Sequence, residues 1–460
     1  MMEFDTIVAI ATPPGIGAVG IIRISGKNAI DVFNKIFRKA RENWNSHQMY
    51  YGHVFTGIRE SDIHVDEVIA CVMRAPRSYT SEDVIEIYTH GGIITVHGVL
   101  EAAINNGARL ALPGEFTKRA FFNGRINLTQ AEAVMDLISA KTEAARKAGL
   151  KQLGGGLSKR ISDARDELLM WLASIELSID YPEHEEEAAN LETILNQGRL
   201  WLERMTALQR TANLGRVLRE GIKTAIIGKP NVGKSTLLNA IIGEDRAIVH
   251  EIPGTTRDVL SEQIRVGDVV LHLMDTAGIR ETADPIEEIG VRKSYEAAQD
   301  AELILYIIDR SAPPSIDDIQ IIEMLVDKNI IIVLNKCDLL TATNWSDVLP
   351  TAIQEYDIHE ISAYTRQGLD NLFQDINRRF YEGQLSSDDT DIITRERHKI
   401  LLGSAIDHVN RAMMDIENGV EEDLISIGLR EAYSALGEIL GLEIKDDIVD
   451  RIFSEFCVGK

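Results

Sequence analysis

Cysteine is scarce in this sequence: three residues in 460, Cys71, Cys337 and Cys457, odd in number and far apart. That excludes a disulfide framework and points to a reducing compartment. No run of about 18 apolar residues occurs, so no segment is expected to span a membrane. The opening MMEFDTIVAIATPPG sets acids before its apolar run and Pro-Pro-Gly inside it, unlike a signal peptide. The expected location is the cytoplasm. Positive charge is also short, with 48 Lys and Arg against 72 Asp and Glu, a net charge of −24. A general nucleic-acid coat is excluded, because neutralising phosphates needs local cations. Neither an internal repeat nor a low-complexity tract is present.

What is present is a globular composition, 45% hydrophobic and 26% charged, in a chain long enough for about two to four domains. Residues 109–160 run against the overall charge, with Arg109, Lys118, Arg119, Arg125, Lys141, Arg146, Lys147, Lys151, Lys159 and Arg160 opposed by four acids. Charge alone supports two readings of that segment, a polyanion site and a solvated helix face.

Along the chain, TIVAIAT, AVGIIRIS, DEVIACVMRA and VIEIYTH read as strands, with helical patterns near 28–38 and 92–106. A helical region follows, in which Leu157, Ile161, Leu168, Leu172, Ile175 and Ile179 recur at helix spacing. YPEHEEE at 181–187 interrupts it, and GQLSSDDTD at 383–391 marks a further boundary before a last helical stretch. Between them lies an α/β pattern. The expected architecture is multi-domain, α/β plus all-α. An N-terminal α+β domain occupies 1–120, and helical segments 121–218 and 383–460 flank an inserted α/β domain at 219–382.

The inserted region carries a motif series. GKPNVGKST at 228–236 fits G-x-x-x-x-G-K-[ST] and sits between a strand-like run and a helical pattern. Gly228 and Gly233 let the backbone wrap a phosphate, so that the N–H groups of Asn231, Val232 and Thr236 can face it at the positive end of a helix. Lys234 supplies charge for the β- and γ-phosphates, and Ser235 is a Mg²⁺ ligand. Downstream, GTTRD at 254–258 offers Thr255 and Thr256, while DTAG (Asp275, Thr276, Ala277, Gly278) ends the run VVLHLM. NKCD places Asn335, Lys336 and Asp338 after IIIVLNK; the Asp338 carboxylate matches the N1 and N2 hydrogens of guanine, which adenine lacks. ISAY adds Ser362, Ala363 and Tyr364, with backbone N–H for the guanine O6. The order is that of a GTPase, and the fold implied is a Ras-like doubly wound sheet. Strands 261–266 and 269–274 should pair antiparallel across Gly267-Asp268.

One position departs from the pattern. Where many GTPases place a water-orienting Gln after the DTAG-like residues, this chain has Ile279. Glu281, Asp284, Glu287 and Glu288 are candidates for that task, and Asn231 is a candidate ligand for a monovalent cation replacing an arginine finger.

The motifs together with RISG (23–26), YTSEDVIEIYTHGG (79–92), PGEFTKRAFFNGRINLTQAEA (113–133) and the terminal FSEFCVGK resemble the MnmE (TrmE) family of bacterial tRNA-modification GTPases along the whole chain. The resemblance implies a tetrahydrofolate-binding and dimerising N-terminal domain, a helical domain and an inserted G domain. It also implies a homodimer working with the FAD-dependent MnmG (GidA). Together they would add a carboxymethylaminomethyl-type group at C5 of the wobble uridine of certain tRNAs, from a 5-formyl- or methylene-tetrahydrofolate. GTP hydrolysis would be stimulated by potassium. By motif, Asn231, His250, Ile252 and Thr255 match the K⁺ site, Ser235 and Thr256 the Mg²⁺ ligands, and Glu287 the catalytic glutamate. Glu251, Pro253 and Gly254 complete the GTP-binding loop. Arg23, Glu86, Arg125 and Lys460 match the folate positions, and Cys457 the family's C-terminal cysteine, either a reactive thiol or a structural one. The competing reading, a ribosome-assembly GTPase switch like Era or Der, wants an RNA-binding module or a second G domain.

Overall fold

The computed structural model describes residues 5–38, 43–56, 63–180, 191–243, 262–274, 299–313, 328–340, 357–381, 391–443, 446–456 and 458–459, with positions 315, 318, 321 and 325. The chain begins with β1 (Ile7–Ile10), β2 (Val19–Ser25), α1 (Ala29–Ile36), β3 (Phe37–Arg38), β4 (Gln48–Phe55), β5 (His64–Met73), β6 (Val84–His90), α2 (Ile93–Asn105) and β7 (Arg109–Leu110). The strands form one sheet in the order β3-β4-β5-β6-β2-β1-β7, antiparallel except for the parallel β1–β7 pair. Alternation sends Val68, Ala70 and Val72 of β5 into the core with Ile85 and Ile87, beneath Phe33 of α1 and Val99 of α2. Ile69 and Cys71 of the same strand lie on the other face. Sequence periodicity missed β4. Its outward residues Met49 and Tyr51 are large, apolar and 62% and 57% exposed, while inward Gly52 lies against the Phe37 ring. The hydrophobic pattern is thereby inverted.

Six helices follow: α3 (Glu115–Phe122), α4 (Leu128–Ser139), α5 (Glu143–Leu153), α6 (Gly156–Asp180), α7 (Leu191–Arg210) and α8 (Ala212–Glu220). The stripe expected on α6 is buried at Leu157, Ile161, Leu168, Leu172 and Ile175. Ile179 departs from it, being 37% exposed on the last turn, beyond the residues that pack.

The inserted domain consists of β8 (Ile222–Ile227), α9 (Lys234–Ile242), β9 (Glu262–Val266), β10 (Val269–Leu273), β11 (Leu303–Asp309), β12 (Ile330–Asn335), β13 (Asp357–Glu360) and α10 (Leu369–Phe380). Its sheet runs β13-β12-β11-β8-β10-β9 and is parallel except for the antiparallel β9–β10 hairpin, which turns at Gly267-Asp268 as the sequence predicts. Central strands buried on both faces read as continuous apolar runs. In β11, Leu303, Leu305 and Ile307 enter the core shared with α9 and α10, and Ile304, Tyr306 and Ile308 enter the opposite one.

The chain then returns to helix with α11 (Glu396–Glu417), α12 (Glu422–Leu440) and α13 (Asp446–Ser454). Helices α6 and α12 pack together, although the inserted domain separates them in sequence. Two compact units result, one of Met1–Met135, Gln152–Leu191 and Arg411–Lys460, the other of Asp136–Lys151 and Glu192–Asn410. No described helix is long and apolar enough to cross a membrane. The boundary stretches 181–187 and 383–390 lie outside the described residues.

Candidate nucleotide site and a second polar site

Strand β8 delivers the chain into the loop 228–233, and α9 carries it away. Two glycines shape the loop by what they lack. A Cβ on Gly228 would lie 2.4 Å from the carbonyl oxygen of Ile307, and one on Gly233 would lie 2.3 Å from Asn335 Nδ2. Gly233, with φ +99°, is also the N-cap of α9, so the helix's first N–H groups open into the loop. Asn231 adopts φ +61°, a conformation Asn tolerates better than most side chains. The Lys234 ammonium spans the loop, donating to the carbonyls of Gly228 and Lys229 at 2.7 Å each. Burial pushes its pKa down. Ser235 stands in the first turn of α9, within reach of whatever the loop holds, while Thr236 beside it is exposed. A cradle that excludes two Cβ atoms and carries a hydroxyl and an ammonium at a helix start fits a Mg²⁺-bound phosphate chain.

The NKCD and ISAY residues, expected to meet the base, are tied to the same loop. Asn335, 2% exposed, donates Nδ2–H to the Val232 carbonyl at 2.8 Å and accepts the Ala363 N–H at 2.9 Å. The Ala363 N–H, expected to serve guanine O6, is therefore engaged by Asn335. Lys336, at φ +66°, donates to the Asn231 carbonyl at 2.9 Å and to Asp309 at 2.6 Å. Burial opposes the Asp309 charge, but the Lys336 and Ser311 hydrogen bonds outweigh it and hold the carboxyl below its ordinary range. Asp338 and Tyr364 are exposed, and Ser362 is buried, accepting the Thr365 N–H at 3.1 Å. Sequence reasoning missed Asp309, whose signal was its place at the end of an apolar strand beside the loop.

His250, Glu251, Ile252, Pro253, Gly254, Thr255, Thr256, Asp275, Thr276, Ala277, Gly278, Glu287, Cys457 and Lys460 lie outside the described residues.

A second polar site occupies the N-terminal sheet. Arg23 of β2 sits opposite Glu86 of β6, donating from Nε at 2.9 Å and Nη2 at 2.8 Å. The other Glu86 oxygen accepts the Tyr88 hydroxyl at 2.8 Å. Burial, reinforced by Glu86, pushes the Tyr88 pKa up to about 12 and raises that of Cys71, which faces Glu86 from β5. The Arg23 guanidinium also donates to the Gly459 carbonyl at 3.3 Å and lies 5.3 Å over the Tyr79 ring. Arg125 stacks on that ring at 4.9 Å and donates to the Tyr79 carbonyl. Arg23 and Arg125 thus share the Tyr79 ring, Glu86 is paired to Arg23, and Arg23 also reaches Gly459. Tyr79 and Tyr88 were missed; Tyr88 was recoverable, two residues along the strand from Glu86 and so on the same face.

The basic segment resolves differently. Arg109, Lys118, Arg119, Arg146, Lys151 and Lys159 all make ion pairs with carboxylates, and Arg125 is stacked as described. Some of the partners lie outside the segment, Asp450 for Lys118 and Asp391 for Lys151 among them.

A family model described as the GTP-binding protein TrmE N-terminus matches residues 6–125, and one described as the MnmE helical domain matches 128–457. The tRNA modification GTPase MnmE of Listeria welshimeri is 44% identical over 462 residues, covering 100% of both chains. That of Finegoldia magna is 43% identical over 458 residues, 99% of this chain and 100% of the relative. That of Desulforamulus reducens is 44% identical over 460 residues, 99% of each. The chain belongs to the MnmE family of tRNA modification GTPases and is a GTP hydrolase.

Proposed function

We propose that this member of the MnmE family is a cytoplasmic homodimer that acts with the flavoprotein MnmG on the wobble uridine of certain tRNAs. GTP hydrolysis drives its working cycle. The group added is carboxymethylaminomethyl-like, and its one-carbon unit comes from a tetrahydrofolate held at Arg23, Glu86, Arg125 and Lys460 in an N-terminal domain of residues 1–120. The observation that carries this reading is the cluster in which Arg23 and Arg125 share the Tyr79 ring and Arg23 pairs with Glu86, in a chain that also carries the phosphate loop. Carboxylate and guanidinium together suit a ligand with a paired-donor ring and an anionic tail.

In the G domain of residues 219–382, Ser235 and Thr256 would hold Mg²⁺, which neutralises phosphate charge. Asn231, His250, Ile252 and Thr255 would hold K⁺, which supplies positive charge in place of an arginine finger. Ile279 cannot orient water, and Glu287 takes that task. The helical domain comprises 121–218 with 383–460. Cys457, matching the family's C-terminal cysteine, is the candidate reactive thiol.

The test is reconstitution of purified protein, FAD-loaded MnmG, unmodified tRNA, GTP, a methylene-tetrahydrofolate as the one-carbon donor and glycine as the source of the carboxymethylamino part, in potassium and in sodium at equal ionic strength. Modified wobble uridine should form, with GTP hydrolysis at least about tenfold faster in potassium. Absence of product in the complete mixture would sink the tRNA reading, and equal rates in the two salts would sink the cation assignment.

A further inference from the structure

The β9–β10 hairpin lies between the two sequence stretches that read the γ-phosphate, GTTRD at 254–258 and DTAG at 275–278. Its far end is the turn Gly267-Asp268, with Gly267 at φ +59°. Asp268 is held on two sides. Its N–H donates to Asn377 Oδ1 of α10 at 3.0 Å, and its carboxylate accepts the N–H of Ala144 at 3.2 Å. Ala144 belongs to the first turn of α5, where backbone N–H groups have no partner within the helix and negative charge is favoured. Thr142 caps the next one, accepting the Ala145 N–H at 3.1 Å. The hairpin therefore supplies half the cap of a helix to which it does not belong. A second tie joins them: Lys141 donates to Gln263 of β9 at 2.6 Å, and its ammonium is partly buried there, which pushes its pKa down.

The surrounding frame is much firmer. Asp136, at the end of α4, is 8% exposed and accepts from Thr394 at 2.9 Å and Arg395 at 2.6 Å, with Arg219 of α8 at 3.6 Å. The Ile393 N–H donates to Thr211 at 3.1 Å, and a Cβ on Gly215 would stand 1.9 Å from the Ile393 carbonyl oxygen. The entry and exit segments of the G domain are thus locked to each other, while the hairpin holds α5 through one hydrogen bond at Ala144 and the segment just before it through another at Lys141. A contact of that strength is small enough to be remade by nucleotide exchange, and the rigid frame confines the change to α5.

We infer that Asp268 and Gln263 transmit the nucleotide state of the G domain to α5 by making and breaking the tertiary cap at Ala144. The inference rests on GTP binding and is independent of the folate and tRNA chemistry.

The test is amide hydrogen exchange of the full-length protein over residues 140–153, with GDP and with a non-hydrolysable GTP analogue. In the wild type, exchange at the α5 N-terminus should differ about tenfold between the two nucleotides. Asp268→Ala should exchange at the fast rate in both, with GTP hydrolysis within about twofold of wild type, and Asp268→Asn, which keeps an acceptor oxygen, should restore most of the difference. Gln263→Ala, which leaves the turn intact, should halve the difference or more. Equal α5 exchange in the two wild-type states would overturn the inference, as would an undiminished difference in both Asp268→Ala and Gln263→Ala. Reconstituted tRNA modification plays no part in this readout, so failure of the functional proposal leaves a distinct signature.

Discussion

Between Gly228 and Ser235 the nucleotide site is one continuous stretch of backbone, whereas Arg23, Tyr79, Glu86, Arg125 and Gly459 meet from parts of the chain as much as 436 positions apart. The first site is defined by absent atoms, since its glycines leave room that any Cβ would fill. The second is defined by side chains, with a guanidinium, a carboxylate and an aromatic ring each fixing the next. A site of backbone tolerates almost no substitution at its glycines and needs few particular side chains. A site of side chains sits on an ordinary sheet and depends on charge at single positions.

The most severe break of this contrast is Gly233→Ala. Strain at φ +99° combines with collision at Asn335, and GTP affinity should fall by more than about a hundredfold in equilibrium titration. Retained affinity would mean that the loop relaxes easily.

Next comes Glu115→Gln, which attacks the support of the side-chain site. Glu115 accepts from Arg109 and from Arg119, which is fully buried and also bonds Glu82. Burial disfavours the Glu115 charge, but Arg109, the Leu112 N–H and Arg119 outweigh it and bring the pKa down to about 2. Because the folded value lies below the unfolded one, the stabilisation is complete above about pH 4.5 and disappears as pH falls toward 2. Urea titration should show the variant about 3 kcal/mol less stable at pH 7, with the gap closing through that acid window. A gap independent of pH would assign the loss to packing.

The mildest is Glu86→Gln, which keeps shape and removes charge. Calorimetry should show tetrahydrofolate affinity down about tenfold, with GTP hydrolysis unchanged within about twofold. Unaltered affinity would move the proposed ligand away from Arg23.

The same contrast explains what could be read before the structure. The phosphate loop and the strands around it were legible because their signals are local: fixed glycine spacing, apolar runs ending in NKCD, and a Gly-Asp turn between pairing strands. The Arg23–Glu86 pair was reached only through family resemblance, since an acid in an alternating strand looks like any solvated residue until its register is known. Tyr79 is in a turn-rich stretch with no periodicity to place it. The motif 113–133, distinctive in sequence, contributes Glu115 and Arg119 to a buried network, so its strength as a signature reflects architecture as much as chemistry. The basic run left two readings open for a related reason, because partners such as Asp450 and Asp391 are remote in sequence.

Asn335 has one further consequence. Its single amide group bonds the phosphate loop at Val232 and the loop beside the base at Ala363, while Asp338, the residue matched to guanine, stands apart from that bond and exposed. Holding the loop together and matching guanine would accordingly be separate tasks of neighbouring residues. A change at Asp338 would leave that bond intact, whereas a change at Asn335 would release the Val232 carbonyl and the Ala363 N–H together.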